Sequence, residues 1–367
     1  MNPTVSIIVP VHSGERYLNK TLKRLLKQDY QNFEIILVEN NSNDHSWKIC
    51  CELQKKDSRI KAYTVTTKGT TLARKFGVQR AMGTYILFHD QDDRFVDSLA
   101  ITNMINAIEV DQSDICQFGY FKTIGGICVK KVPGYAKEHI QVFDRERIMN
   151  DQIKGVLGFG WSSDIVLGTQ VWNKIYKSDL LKAAVENINE SLYFCEDEYL
   201  NIFAFFSQKT NKVSVREEYY YCWEIGAGFS SSDSANMTFL RDYQFIKKAS
   251  IPLIKKFSTS DVLKQAYWDS LTVYRWAIYS MLYDKKPRSE IIKAIEEIES
   301  YRYIQEAKEE LKIIKESKTL KDVDFLTSNY SYNEYFDYCL LTLPKRSTKA
   351  VLKEFAKKSI RNAIDWK

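Results

Sequence analysis

The sequence predicts an α/β protein, with a doubly wound sheet at the front and long helices at the back. Three observations predict it. Short β-branched runs alternate with amphipathic stretches of helical period, acids and amides gather just past the runs' carboxyl ends, and beyond about residue 227 the pattern turns wholly helical.

The first run, "VSIIVPV", is a buried strand by composition. Residues 17–28 place Leu18, Leu22, Leu25 and Leu26 on one helical face, and "FEIILVE" is the second strand. A helix is expected over 44–56, a strand over 60–65, a helix over 71–81 and a strand in "TYILFHD". Ligands of such a sheet sit at the strands' carboxyl ends. "DICQFGYFKTIGGICVKKV" predicts a hairpin turning at Gly125 and Gly126. Helices follow over 261–283 and 289 to about 318. The expected division is a catalytic domain at 1–226, a helical region at 227–344 and a basic amphipathic tail at 345–367.

The 367 residues carry 53 Lys and Arg against 47 Asp and Glu, a net charge of +6. Eight basic and two acidic residues lie in 345–367, so the rest of the chain is neutral and no nucleic-acid surface is expected. The seven cysteines are odd in number and lack C-x-x-C spacing, which fits a reducing cytoplasm. The start lacks the pattern of a secretory leader, and no run reaches membrane-spanning length.

"YILFHDQDDRF" closes an apolar strand with clustered acids. Like charges resist shared burial unless solvent or a cation offsets the repulsion. One reading is a solvated turn with Asp97 or Ser98 capping the next helix. The other is a hard divalent cation, Mg or Mn, held by oxygen ligands from Asp90 and Asp92.

Read together, "VSIIVPVHSGERYLNKTLKRLLKQDYQNFEIILVENNSND", "TLARKFGVQRAMGTYILFHDQDD" and "LYFCEDEYLNIFAF" resemble the nucleotide-sugar-dependent glycosyltransferases of family 2. The resemblance implies a GT-A fold, a Rossmann-like mixed sheet flanked by helices. It implies a donor site at Pro10, Val11, His12, Glu39, Asn40, Arg74, Asp90, Gln91 and Asp92. Asn40 stands where the family pattern has an acid, and Lys75 where it has Asn. The implied metal ligands are Asp92, Asp93 and Asp90, without a division of roles among them. "CEDE" resembles the family's E-D motif, which makes Asp197, beside Glu196, the implied base. Trp172, Asn173 and Lys174 are implied on the acceptor side. His89 is expected to pack beneath the site, and "GVLGFGWSSD" is a candidate mobile loop by composition.

The expected function is inverting transfer from a nucleoside-diphosphate donor, a UDP-sugar, to a hydroxyl of a glycan or lipid-linked acceptor in bacterial surface polysaccharide synthesis. The tail carries Val351, Leu352, Phe355, Ala356, Ile360, Ala363 and Ile364 along one stripe opposite its basic residues. Such a helix docks on protein or lies on an anionic membrane, here the inner face of the cell membrane. A haloacid-dehalogenase-type phosphatase also has D-x-D after a strand, but Arg94 stands where that class has Thr or Val. No G-x-G-x-x-G follows a strand, which disfavours an NAD enzyme. A non-catalytic nucleotide-binding scaffold is the third alternative.

Overall fold

The computed structural model describes residues 4–66, 69–134, 139–157, 166–188, 192, 194–226, 237–312 and 331–342. The basic tail and most of the glycine-rich segment lie outside the described residues. Contacts divide the chain into two units, Met1–Phe229 and Ser230–Lys367.

In the first unit the alternating pattern forms β1 (Val5–Val11), α1 (Leu18–Leu25), β2 (Phe33–Asn40), α2 (Ser46–Lys56), β3 (Ile60–Val65), α3 (Thr70–Arg80) and β4 (Tyr85–Phe88). Next come β5 (Arg94–Phe95), α4 (Ala100–Asp111), β6 (Ile115–Ile124), β7 (Ile127–Val132) and β8 (Ile140–Asp144). After a short helical stretch through residues 145–156, the unit closes with β9 (Lys174–Lys177), α5 (Ser178–Val185), α6 (Glu196–Phe206) and β10 (Lys212–Glu224).

These strands make one sheet in the order β3-β2-β1-β4-β9-β6-β10-β5, with β7 on β6 and β8 on β10. The first four run parallel, as the β-α alternation requires. The sheet is nevertheless mixed, because β9 lies antiparallel between β4 and β6. That strand comes from "NKIYK", too short a run to stand out by period. The predicted hairpin forms, and Gly125 and Gly126 turn it with φ of 59° and 84°, a region other residues enter at a cost.

Burial follows strand alternation. Val5, Ile7, Val9 and Val11 face the core built with Leu18, Leu22 and Leu25 of α1, Cys50 and Leu53 of α2, and Ile101, Met104, Ile105 and Ile108 of α4. Each fully buried aliphatic contributes about 1.5–3 kcal/mol, enough to fix which way the strands face. Ile8 points to the opposite face, against Gly77 of α3, where an added Cβ would lie 2.5 Å from the Ile8 Cγ2.

The second unit holds α7 (Met237–Phe257), α8 (Ser260–Tyr283), α9 (Arg288–Glu299), α10 (Arg302–Lys312) and α11 (Tyr332–Thr342). The helix expected from 289 onward is broken in two. At the break the Ser300 hydroxyl donates to the Glu297 carbonyl at 2.6 Å, and the turn buries Tyr301. Buried Glu299 accepts from Tyr274 at 3.0 Å and pairs with Lys308, interactions that favour the bend. No described helix is long and apolar enough to cross a membrane.

Candidate active site

The strand order 2-1-4 makes the carboxyl ends of β1 and β4 a topological switch point, the place where such sheets bind ligands. His12 follows β1, and His89 and Asp90 follow β4. Gln91 joins the two ends. The His12 N–H donates to its Oε1 at 3.0 Å, and its Nε2 donates to the His12 carbonyl at 2.7 Å. Gln91 was expected to touch the donor; its amide instead holds main chain, and its carbonyl accepts from Thr21 at 2.7 Å. Gly14 lies so near that a Cβ there would sit 2.3 Å from the Gln91 Oε1.

The end of β2 completes the donor-side rim. Glu39 is buried, accepting from the Ser42 N–H at 2.6 Å and the Thr64 hydroxyl at 3.0 Å. Asn40 accepts from the Gly69 N–H at 3.2 Å through its side chain, and from His12 Nδ1 at 2.9 Å through its carbonyl. Pro10 is half-buried, Val11 fully buried and His12 exposed, so only the first and last of that trio have surface to offer a base. Ser13 and Asn41 adopt left-handed φ of 51° and 52°, as does Cys195, at 54°, just before the second acidic cluster. Such conformations cost free energy and gather where a loop must be aimed.

The acids divide by partner. Asp93 is buried; its two oxygens accept from the Tyr221 hydroxyl at 2.8 Å and the Glu224 N–H at 2.7 Å. Burial, then the charges of Asp90 and Asp92, push its carboxyl well above the usual range. Asp93, expected among the metal ligands, is turned toward β10 here and acts as a strut. Asp92 is half-buried and has no pairing with another residue's side chain among the described residues. Burial, then the charge of Asp90, raises it to about 7.

Asp90 belongs to a different network. Arg74, only 2% exposed, donates to it at 3.3 Å, pairs closely with Asp197, and reaches Glu196 at 3.9 Å. Burial alone would weaken the guanidinium's hold on its proton, but the carboxylates of Asp197, Asp90 and Glu196 more than offset it. Asp197 also accepts from the Val171 N–H at 3.2 Å. Glu196 is raised to about 7 by burial and then by the charge of Asp197. Lys75, the other cation of the motif, donates to the Ile188 carbonyl at 2.6 Å and takes no part.

His89 packs beneath the site as expected, edge-on to Phe95, and burial lowers it to about 4. The three residues expected on the acceptor side all make contacts within the protein. Asn173 donates to the Phe118 carbonyl at 3.0 Å, and buried Lys174 donates to the Gly168 carbonyl at 2.9 Å and to that of Gln170. Both are occupied in holding the turn before β9. Trp172 is stacked on Tyr221, with ring centres 4.7 Å apart, and covered. Trp223, stacked on Trp172 at 6.3 Å, is the partly exposed end of that pile. Reading the sequence missed Tyr221 and Trp223, whose only signal was the aromatic density of "EEYYYCWEIG".

A divalent cation fits these residues in one way. No group of three or more His, Cys, Asp or Glu able to hold a metal occurs among the described residues. Asp92, unpaired and strained by Asp90, suits the alternative of a cation carried by a diphosphate and completed by one or two protein carboxylates.

Residues 6–159 match the profile of glycosyl transferase family 2. Over that stretch the chain is similar to the family 2 glycosyltransferases. The stretch begins at β1 and includes the Asp90–Asp93 run, while Asp197 lies beyond it. The uncharacterized glycosyltransferase EpsJ of Bacillus subtilis (strain 168) is 29% identical over 61% of this chain and 61% of its own length. The poly(ribitol-phosphate) beta-glucosyltransferase of Bacillus spizizenii is 29% identical over 59% of this chain and 32% of its own length. The chain thus spans less than two thirds of these relatives. Among solved structures, S. aureus TarS 1-349 in complex with UDP-GlcNAc aligns with a TM-score of 0.53 at 20% identity, over 81% of this chain and 83% of that one. The likeness gives the first unit the expected GT-A fold.

Proposed function

We propose that the protein moves a sugar from a nucleoside diphosphate, most simply UDP, to a hydroxyl of a bacterial surface glycan, with inversion at the anomeric carbon. One observation carries this reading: Arg74 draws Asp197, at the start of α6, against Asp90, at the end of β4. A candidate base and a candidate donor-binding acid are thereby held on either side of one guanidinium.

In this reading the diphosphate lies across the β1/β4 switch point, with its base near Pro10, His12 and Asn40. Asp92, helped by Asp90, would hold a Mg or Mn ion that neutralises the diphosphate. Arg74 is suited to the same anion. The acceptor oxygen attacks the anomeric carbon as its proton passes to an Asp197 oxygen; the bond from that carbon to the diphosphate oxygen breaks, and the nucleoside diphosphate leaves with the electron pair. The UDP-GlcNAc bound to the S. aureus neighbour and the glucosyltransferase name of the Bacillus spizizenii relative support the donor class.

The test is calorimetric titration of UDP, TDP, GDP, CDP and ADP with and without Mn. Metal-dependent binding of one pyrimidine diphosphate, lost in Asp92→Ala, is expected. A folded protein that binds none of the five overturns the reading.

A further inference from the structure

A single peptide group lies between the proposed base and a buried ammonium. The Val171 N–H donates to Asp197 Oδ2 at 3.2 Å, and the carbonyl of that same Gln170–Val171 peptide accepts from Lys174 Nζ. Lys174 is wholly buried at the start of β9. Its ammonium also donates to the Gly168 carbonyl at 2.9 Å and to Asn173 Oδ1 at 3.2 Å. Three acceptors around the nitrogen match the three N–H bonds of the charged form, whereas a neutral amine would turn its lone pair on one of them.

We propose that Lys174 is a positioning residue for Asp197, acting through the Gln170–Val171 peptide. The proposal rests on the transferase reading, in which Asp197 is the base, and adds the group that aims it. A donor at an amide's carbonyl polarises the amide and strengthens the bond that its N–H makes. The Lys174 charge therefore tightens the hold of Val171 on Asp197 Oδ2, while Arg74 pairs with Oδ1. Held at both oxygens, the carboxylate keeps one orientation.

Satisfying carbonyls does not by itself account for a lysine here. Taking an ammonium out of water is costly, and burial pushes this one down to about 7, with the charge of Asp197 as the opposing influence. Elsewhere in the same turn neutral amides suffice. Gln117 accepts from the Gly168 N–H at 2.9 Å and donates to the Val166 carbonyl at 2.7 Å, and Asn201 donates to the Thr169 carbonyl at 2.5 Å. The charged donor stands at the peptide whose other end meets a carboxylate. Helix α6 fixes the spacing: Asp197 and Asn201 lie one turn apart on it, and Asn201, which accepts from the Tyr176 hydroxyl at 2.8 Å, reaches the Gln170 carbonyl at 3.4 Å. The same helix thus holds both ends of the peptide.

The test is hydrogen exchange of the Val171 N–H in the full chain, followed by NMR with nitrogen-labelled valine on the acid side of the Lys174 titration. Val171→Ile assigns the signal. Lys174→Met is expected to speed exchange about tenfold or more with Asp197 in place, and by no more than about threefold once Asp197→Asn has removed the charge. Gln117→Met, which loosens the turn without touching this peptide, is expected to speed exchange by the same factor in both backgrounds. Lys174→Gln keeps an N–H donor without the charge and carries the same comparison where Lys174→Met does not fold. UDP affinity with Mn is expected to stay within about twofold in the Lys174 variants, because the ammonium does not belong to the donor site. An equal acceleration by the Lys174 variant in both backgrounds would show that the lysine only holds the turn, and that result, or no acceleration in either, overturns the proposal. Failure of UDP to bind the wild type overturns the transferase reading instead.

Discussion

Arg74 and Asp197, 123 positions apart, form a close ion pair on the buried side of the site, and Asp90 completes it from the end of β4. Removing one member of a buried charge group costs more than the group contributes, because the remaining charges lose their partner. Arg74→Met is therefore expected to destabilise the first unit by about 2–4 kcal/mol, read as a lower urea midpoint. Arg74→Met combined with Asp197→Asn is expected to recover part of that loss. A double variant as unstable as the sum of the singles would show that the pair is not coupled.

Asp197→Asn keeps the shape and the Val171 contact but removes the proton acceptor. Transfer is expected to fall about 10²–10⁴-fold, with UDP binding within a few-fold of wild type. Initial rates on an active acceptor check the first statement and calorimetry the second; unchanged turnover would move the base elsewhere.

Asp92 and Asp93 are adjacent and are expected to fail differently. Asp93→Ala strips the Tyr221 hydroxyl and the Glu224 N–H of their acceptors, costing about 1–3 kcal/mol of stability for each group left unpaired. Asp92→Ala is expected to leave the melting temperature nearly unchanged while abolishing Mn-dependent UDP binding. Thermal melts and titrations on the two variants separate a strut from a ligand, and the reverse pattern would refute the division.

Glu196 titrates higher in the folded protein, near 7, than in the unfolded chain. Between the two values the folded state holds the proton that the unfolded state has released. Its contribution to stability is therefore present at acid pH and lost as pH rises through about 7. About a quarter of its side chain is exposed, so the effect is a modest one. Melting temperatures of wild type and Glu196→Gln, compared from pH 5 to 8, are expected to diverge as pH rises, with the variant gaining. Parallel curves would contradict the shift.

The fold was largely legible because β1 to β4 and their helices carry unmixed periods, and the hairpin turn is written in Gly125 and Gly126. β9 was not, since "KIYK" owes its strand state to the edges of β4 and β6 on either side. The break at Ser300 was hidden for a related reason: no glycine or proline marks it, and the interactions that favour it come from Tyr274 and Lys308. At the site, residue type and order identified the acids but not their direction. Asp92 and Asp93 are chemically identical neighbours, and only the arrival of β10 from 130 residues later turns one inward. Lys174 and Asn173 are polar side chains used to satisfy buried carbonyls, a demand that does not exist until the turn before β9 is packed.

The Gln91 amide grips both the N–H and the carbonyl of His12, as a neighbouring strand would, and Gly14 leaves it the space to do so. A side chain at position 14 would displace the amide, and a shorter residue at 91 would leave two main-chain groups at the rim without partners. The two positions consequently form one mutational unit, tolerant of change only together. Because the grip ties the loop after β1 to the acids after β4 before any donor arrives, the entropy of ordering that loop is lost during folding and need not be lost again on binding.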